Sequence, residues 1–146
     1  MTSNGQTHLR ELGKAYIAAG YPDRAGWPFA PDDQAGEVAI RELSAHGYVE
    51  PLAAQWRLTP AGLRAVMDIY PITEAAKSTL CEIREAYIQD GSPALEGWLY
   101  RRSSEARRPA VMELQSRGIL RPSGTGYELW FLTNEGLRAI LKDGTA

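Results

Sequence analysis

The 146-residue sequence contains one cysteine, two histidines and no surplus of positive charge. A single cysteine, Cys81, excludes a disulfide within the chain, and we expect it to be a small apolar residue buried in a helix. The net charge of −2 gives no global indication of nucleic-acid binding, so the charges have to be interpreted by position.

Long apolar runs are also missing, which excludes a membrane-spanning helix of the usual 20 or so residues. The polar start, residues 1–6, lacks the apolar segment of a signal peptide, so we expect a cytoplasmic protein. His8 falls in a start that we expect to be disordered. No Cys/His spacing indicates zinc, and no glycine-rich phosphate loop follows a strand. We therefore expect no enzyme, no metal and no cofactor.

The second half of the sequence repeats the first at a constant offset of 71 residues. ELGKAYIAAG, from Glu11, corresponds to EIREAYIQDG, from Glu82, and 15 of the 43 pairs between 9–51 and 80–122 are identical. After Pro122 the offset becomes 74, because the second copy carries three extra residues before Trp130. A length change at one place is typical of a surface loop. The sequence therefore predicts two copies of one small unit, over residues 7–70 and 74–143.

Each copy begins with an amphipathic helix, followed by a loop with a brief helix and then a second full helix. The second full helix is predicted at 32–46 in copy one and 103–117 in copy two, with Asp32 and Ser103 as N-caps. Pro109 should cost a hydrogen bond or delay the start of the second of these helices. Tryptophans that recur at aligned positions, 27 and 98 and then 56 and 130, are expected in the core.

A β-hairpin and a last helix complete each copy. The strands are predicted at 48–50 and 56–59 in copy one, and at 119–121 and 128–133 in copy two. The last helix starts after Thr59 or Thr133, and its inward face in copy two is predicted to hold Leu137, Ile140 and Leu141. The predicted fold class is therefore α+β, mainly helical, with small hairpins.

This order of elements, together with two pairs of phrases, resembles a winged helix-turn-helix domain. WRLTPAGLRAV and WFLTNEGLRAI resemble the end of the wing in MarR-like and PadR-like regulators, and RELSAHGYVEP and MELQSRGILRP resemble their recognition helix and first wing strand. The resemblance covers about 56 aligned positions in each copy. It implies tandem winged helices and a role in transcription regulation, with the second full helix in the major groove of DNA. Other winged helices bind only proteins, so the fold alone leaves the function open.

Copy two carries an arginine cluster at positions where copy one has Ala, Pro, Gly and Glu. Cations near phosphates supply most non-specific affinity for DNA, so we expect copy two to bind double-stranded DNA. The candidate DNA-binding residues are Arg101, Arg102, Ser103, Ser104, Arg107, Arg108, Met112, Gln115 and Arg121. The wing tips, 52–55 and 123–127, hold no cation, which indicates modest affinity. The same arginines also fit a solvated surface, or a protein or intramolecular partner.

Copy one instead combines acidic residues with an aromatic, proline-rich stretch at 21–31. Acids at the start of a helix stabilise it through the helix dipole, whereas an exposed aromatic cluster would indicate a protein interface. The candidate protein interface comprises Tyr21, Trp27, Phe29, Asp32, Asp33 and Glu37. The rival function is therefore a protein-interaction module without DNA binding, such as an adaptor or a phage-type inhibitor of a host or defence complex. A homodimer is a further open alternative.

Overall fold

Two units, each with its own apolar core, make up the chain in the computed structural model, which describes residues 1–124 and 128–144. Unit 1 is Met1–Pro71 and unit 2 begins at Ile72. The described residues form six α-helices and two small antiparallel sheets, so the fold is mixed α+β, as the sequence predicts. Within that part of the chain, no helix combines the length and the apolar character needed to cross a membrane.

Unit 1 contains three helices and a hairpin: α1 Ser3–Ala18, α2 Gln34–Ala45, β1 Val49–Leu52, β2 Gln55–Leu58 and α3 Pro60–Ile69. Phe29 adds a single antiparallel bridge to Trp56, so a third backbone segment lies beside β2. Tyr16 packs edge-on against Trp27, with ring centroids 5.3 Å apart, and donates a hydrogen bond to the carbonyl of Pro22. These contacts fold the proline-rich stretch back onto α1.

Unit 2 contains α4 Glu74–Gln89, β3 Leu99–Arg101, α5 Arg108–Ser116, β4 Leu120–Pro122, β5 Leu129–Leu132 and α6 Asn134–Gly144. Its sheet has the order β3-β5-β4, antiparallel throughout. Tyr87 contacts Trp98 edge-on at 5.1 Å and donates to the carbonyl of Pro93, which reproduces the arrangement around Tyr16. The repeat at offset 71 is thus a repeat of contacts as well as of residues.

The largest differences from the sequence-based expectations lie at the starts of helices. Helix α1 begins at Ser3, capped by Thr2, so the expected disorder before and at His8 is wrong. The N-cap of α2 is Asp33, whose side chain accepts from the Gly36 N–H at 2.8 Å, and not Asp32. In unit 2 a 3₁₀ turn, Glu105–Arg107, precedes α5. The delayed start expected from Pro109 is therefore confirmed, and Ser103 is not the cap.

Several burial expectations also differ from the structure. Cys81 is exposed on α4, so the prediction of a buried thiol is wrong. Leu141 is exposed on α6, although Ile140 beside it is buried. Trp98 and Trp130 are buried as expected, whereas the tryptophans at 27 and 56 are half-buried. Strand β3 was not predicted, and residues 125–127 of the predicted wing tip lie outside the described residues.

A threonine and a glutamate join the first helix to the second full helix in both units. In unit 1 the backbone N–H and hydroxyl of Thr2 donate to the two carboxylate oxygens of Glu42, and these bonds lower the pKa of Glu42. In unit 2 Thr73 donates in the same way to Glu113, at 3.0 and 2.6 Å. Each threonine also caps its own helix, so one pair fixes a helix start and a helix–helix contact together.

The glycine that follows each hairpin permits a second close contact. A Cβ on Gly62 would lie 1.8 Å from the carbonyl oxygen of Tyr48, and one on Gly136 would lie 2.3 Å from that of Ile119. No side chain fits at such a distance. The last helix of each unit can therefore lie directly against the first hairpin strand.

Replacing Glu113 by Ala should destabilise unit 2 strongly. The Glu113 side chain is 2% exposed and also pairs with Arg117 at 3.2 Å, so its loss leaves buried donors without an acceptor. We expect the free energy of unfolding to fall by about 3–5 kcal/mol, measured by urea denaturation. Glu42→Ala, which removes the more exposed glutamate of the two pairs, should lower the free energy of unfolding by a smaller amount. Equal losses in the two variants would contradict this assignment.

Candidate functional site

The arginines that the sequence singles out in unit 2 lie close to carboxylates of the same unit. Arg102 donates to Glu105 at 2.9 Å, and its side chain is only 8% exposed. Arg108 lies 3.6 Å from the same glutamate, and Arg101 lies 3.5 Å from Glu128. Local acids therefore offset much of the positive charge that suggested a DNA-binding surface.

Arg107 is the most strongly held member of the cluster. Its Nε lies 2.6 Å from a carboxylate oxygen of Glu82 on α4, and the two side chains are 29% and 30% exposed. Its Nη1 donates to the hydroxyls of Ser78 and Thr79, at 3.0 and 3.2 Å. The guanidinium is thus bound to α4, and it ties the start of α5 to that helix.

The remaining candidate DNA-binding residues are spread around these arginines. Ser103 and Ser104 are exposed, Met112 packs partly against the core, and Gln115 is half-buried. Arg121 is exposed on β4, with its guanidinium carbon 4.3 Å from the centroid of the Phe131 ring. Beyond its first two residues, every residue of α5 is buried or half-buried. The candidate residues Met112 and Gln115 are therefore only partly accessible on α5.

Unit 1 has an open groove between α1 and the start of α2. Its volume is about 350 Å³, and one wall consists of Trp27 and Phe29, whose ring centroids are 5.8 Å apart. The full lining is His8, Glu11, Leu12, Ala15, Trp27, Phe29, Ala30, Pro31, Asp32, Asp33, Gly36 and Ile40. The volume is at the lower end of the roughly 300–1,000 Å³ of ligand pockets. It therefore suits one large side chain or a small ligand.

The groove brings together four of the six residues of the candidate protein interface. Trp27, Phe29, Asp32 and Asp33 line it, whereas Tyr21 and Glu37 do not, although both lie in unit 1. Tyr21 is half-buried beside Tyr16, and Glu37 is exposed on α2. The aromatic residues pack partly into the core instead of forming a freely exposed cluster.

His8 and Glu11 are functional candidates that the sequence reasoning missed. Both lie on α1, and the expectation of a disordered start had removed His8 from consideration. The spacing of three residues was the available signal, since residues i and i+3 share a helix face. Their position in the groove depends on the fold of residues 27–36, which the helix pattern alone does not give.

The polar atoms around the groove are mainly hydrogen-bond acceptors. His8 Nδ1 lies 3.0 Å from the carbonyl oxygen of Asn4, so Nδ1 is the donor of this bond, and in the tautomer with its proton on Nδ1 the other ring nitrogen, Nε2, is an acceptor. No Lys or Arg among the described residues forms an ion pair with Glu11, Asp32 or Asp33. In the same part of the chain, no group of three His, Cys, Asp or Glu residues could hold a metal ion. The groove therefore has a negative rim, where Asp33 also caps α2, over an aromatic and aliphatic floor.

Replacing Arg107 by Ala should destabilise the protein because Glu82 loses its ionic partner. We expect the free energy of unfolding to fall by about 1–3 kcal/mol, measured by urea denaturation. Arg108→Ala is the matched control, since Arg108 is more exposed and its pair at 3.6 Å is weaker. The control should lose no more than about 1 kcal/mol. If both variants were as stable as the wild type, Arg107 would have no structural role.

A buried tyrosine lies beside the ion pair of Arg107. Tyr100 on β3 is 3% exposed, and its hydroxyl has no hydrogen-bond partner among the described residues. Burial, and then the nearby Glu82 carboxylate, raises the pKa of Tyr100 to about 12. Arg107 and Arg102 oppose this shift by a smaller amount.

Tyr100→Phe should make the protein less sensitive to alkaline pH. The pKa of Tyr100 in the folded protein, about 12, is above its ordinary value of 10.0. The stabilisation is therefore complete below pH 10 and is lost as the pH rises towards 12. Urea midpoints at pH 7 and pH 11 should differ less for the variant than for the wild type. At pH 7 the variant should be at least as stable, because the lost hydroxyl has no partner. An equal or greater alkaline loss would contradict the assignment.

Comparison with known proteins adds no relative to this picture. No protein-family model, curated protein sequence or solved structure gives a significant match to the chain. The geometry of the groove and of the arginine cluster is therefore what indicates the function.

Proposed function

We propose that the chain is a non-enzymatic protein-interaction module and that it binds a segment of its partner in the groove of unit 1. The observation that carries this proposal is the contrast between the two units. Unit 1 leaves carboxylates and aromatic rings open to a ligand, whereas unit 2 pairs its arginines internally. A negative rim over an apolar floor favours a ligand that is both cationic and apolar. Duplex DNA is negatively charged, as the rim is, so this surface repels it.

DNA binding by unit 2 is the less favoured function. A DNA-binding surface needs cations that are free to neutralise phosphates, and four of the five candidate arginines lie within 3.6 Å of a carboxylate. Arg121 is the exception, and one stacked arginine supplies little affinity. The buried and half-buried positions of α5 also disfavour its use as a recognition helix.

The proposal includes two winged-helix units as the scaffold. Helix, short strand, helix, hairpin and helix follow one another in unit 2, and the sheet order β3-β5-β4 places the first strand beside the last. Unit 1 follows the same order, with the Phe29–Trp56 bridge in place of β3. Both units differ from DNA-binding winged-helix domains in one respect. A single full helix lies between the first strand and the hairpin, so the first helix of a helix-turn-helix pair is missing. This departure agrees better with protein binding.

Peptide selection with a groove-filling variant tests the proposed function. A phage-displayed peptide library would be selected on the full chain, and the selected peptides would then be titrated against Ala15→Trp. Ala15 is an exposed residue that lines the groove, so a tryptophan there should occupy it. We expect selected peptides to lose at least about tenfold in affinity for this variant, equivalent to about 1.4 kcal/mol.

Ala18→Trp is the matched control, because Ala18 is also exposed on α1 but does not line the groove. The control should bind the selected peptides as the wild type does. A labelled random DNA duplex would be titrated in parallel at low and moderate salt. Peptides that bind both variants equally, or salt-sensitive binding of the duplex that Arg121→Ala abolishes, would overturn the proposed function.

A further inference from the structure

The two units carry the same site in two states, one filled and one open. Adding 71 to a groove position gives its counterpart in unit 2, so Glu11 corresponds to Glu82 and His8 corresponds to Thr79. In unit 2 both counterparts bind the guanidinium of Arg107, at 2.6 Å and 3.2 Å. The space between the two helices of unit 2 is therefore occupied by an arginine from the chain itself.

Unit 1 lacks that arginine because Gly36 occupies the position of Arg107. A glycine has no side chain to reach α1, so Glu11 is left without a cation and the groove stays open. The aromatic wall is also retained, since Trp27 corresponds to Trp98 and Phe29 to Tyr100. The open groove thus has the acceptors and the aromatic wall of a site whose occupant is seen in the other unit.

We propose that the groove of unit 1 binds an arginine side chain of the partner, in the place that Arg107 occupies in unit 2. This inference rests on the proposed function and names the ligand of its groove. The guanidinium pairs with Glu11 and donates to the acceptor nitrogen of His8, as Arg107 pairs with Glu82 and donates to Thr79. Its flat face lies against Trp27, and Asp32 and Asp33 add negative charge at the rim.

Arginine fits this groove better than lysine does. A guanidinium is planar, presents five N–H donors and stacks on aromatic rings, whereas an ammonium is a strongly hydrated point charge. The groove offers several acceptors spread around an aromatic wall. The aliphatic stem of the arginine would cover Leu12 and Ile40 on the floor, so apolar neighbours in the partner segment are favoured.

Four synthetic peptides test the identity of the side chain. Each has nine residues with leucines on both sides of a central position, which holds arginine, lysine, citrulline or glutamate. They would be titrated into the full chain by calorimetry. We expect the arginine peptide to bind, the lysine peptide to bind about three- to tenfold more weakly, and citrulline, which keeps the shape without the charge, to bind at least about tenfold more weakly. The glutamate peptide should not bind.

Substitutions in the groove test where the bound arginine side chain lies. Glu11→Gln should lower the affinity for the arginine peptide about three- to tenfold. The double variant Asp32→Asn with Asp33→Asn should lower it by a similar factor. Asparagine at 33 keeps the N-cap of α2, so the helix should remain intact. Glu37→Gln is the matched control, because this acid lies on the same helix outside the groove, and it should leave the affinity unchanged.

The outcomes separate this inference from the proposed function. If library peptides require an open groove but contain no arginine, or if lysine and citrulline bind as well as arginine, the arginine site is wrong and the protein-binding function stands. If Glu37→Gln weakens binding as much as the groove variants do, the affinity depends on the net charge of the unit and not on the groove residues. The arginine site is then also wrong. If no peptide of either kind depends on the groove, both proposals fail.

Discussion

The threonine–glutamate pair between the first helix and the second full helix is the contact on which the rest of each unit depends. Thr2 with Glu42, and Thr73 with Glu113, fix a helix N-terminus and a helix–helix contact with the same hydrogen bonds. The pair holds the two helices at a fixed separation. The space between the first helix and the start of the second full helix is then either filled by a side chain or left open. The two copies differ at this point. Unit 2 places the Arg107 side chain against α4, whereas unit 1 has Gly36 at the aligned position and an open groove beside α1.

This difference changes the meaning of the charge pattern. Along the sequence, an arginine-rich copy and an acidic copy suggest a DNA-binding half and a half that contacts a protein. In three dimensions Arg107 is an internal partner of Glu82, whereas Glu11 and Asp32 at the groove form no ion pair with a Lys or Arg of the described residues. Removing one partner of an ion pair that is partly shielded from water is costly, and the two charges of the pair offset each other locally. The surface best prepared for a ligand is therefore the acidic groove and not the arginine cluster.

The repeat made much of the fold predictable, and the limits of the prediction have physical causes. The order of the full helices, the hairpins and the helix after Thr59 followed from periodicity and capping residues. Strand β3 did not, since three residues give too short a pattern and its hydrogen bonds come from β5, some 30 positions later. Arg107 was recognised as important, but its pairing with Glu82 could not be assigned, because sequence shows the sign of a charge and not the neighbour that balances it. Glu11 was missed for the same reason, since its lack of a cation is visible only once α1 and α2 are placed together.

The most direct test of the account is an isotope-filtered nuclear Overhauser measurement on the full chain bound to the arginine peptide. An arginine bound in the groove should show contacts from its side-chain protons to the ring of Trp27 and to the methyl groups of Leu12 and Ile40, which all line the groove. Contacts to the exposed Val38 on the outer face of α2, or to residues of unit 2, with none to Trp27, would contradict it.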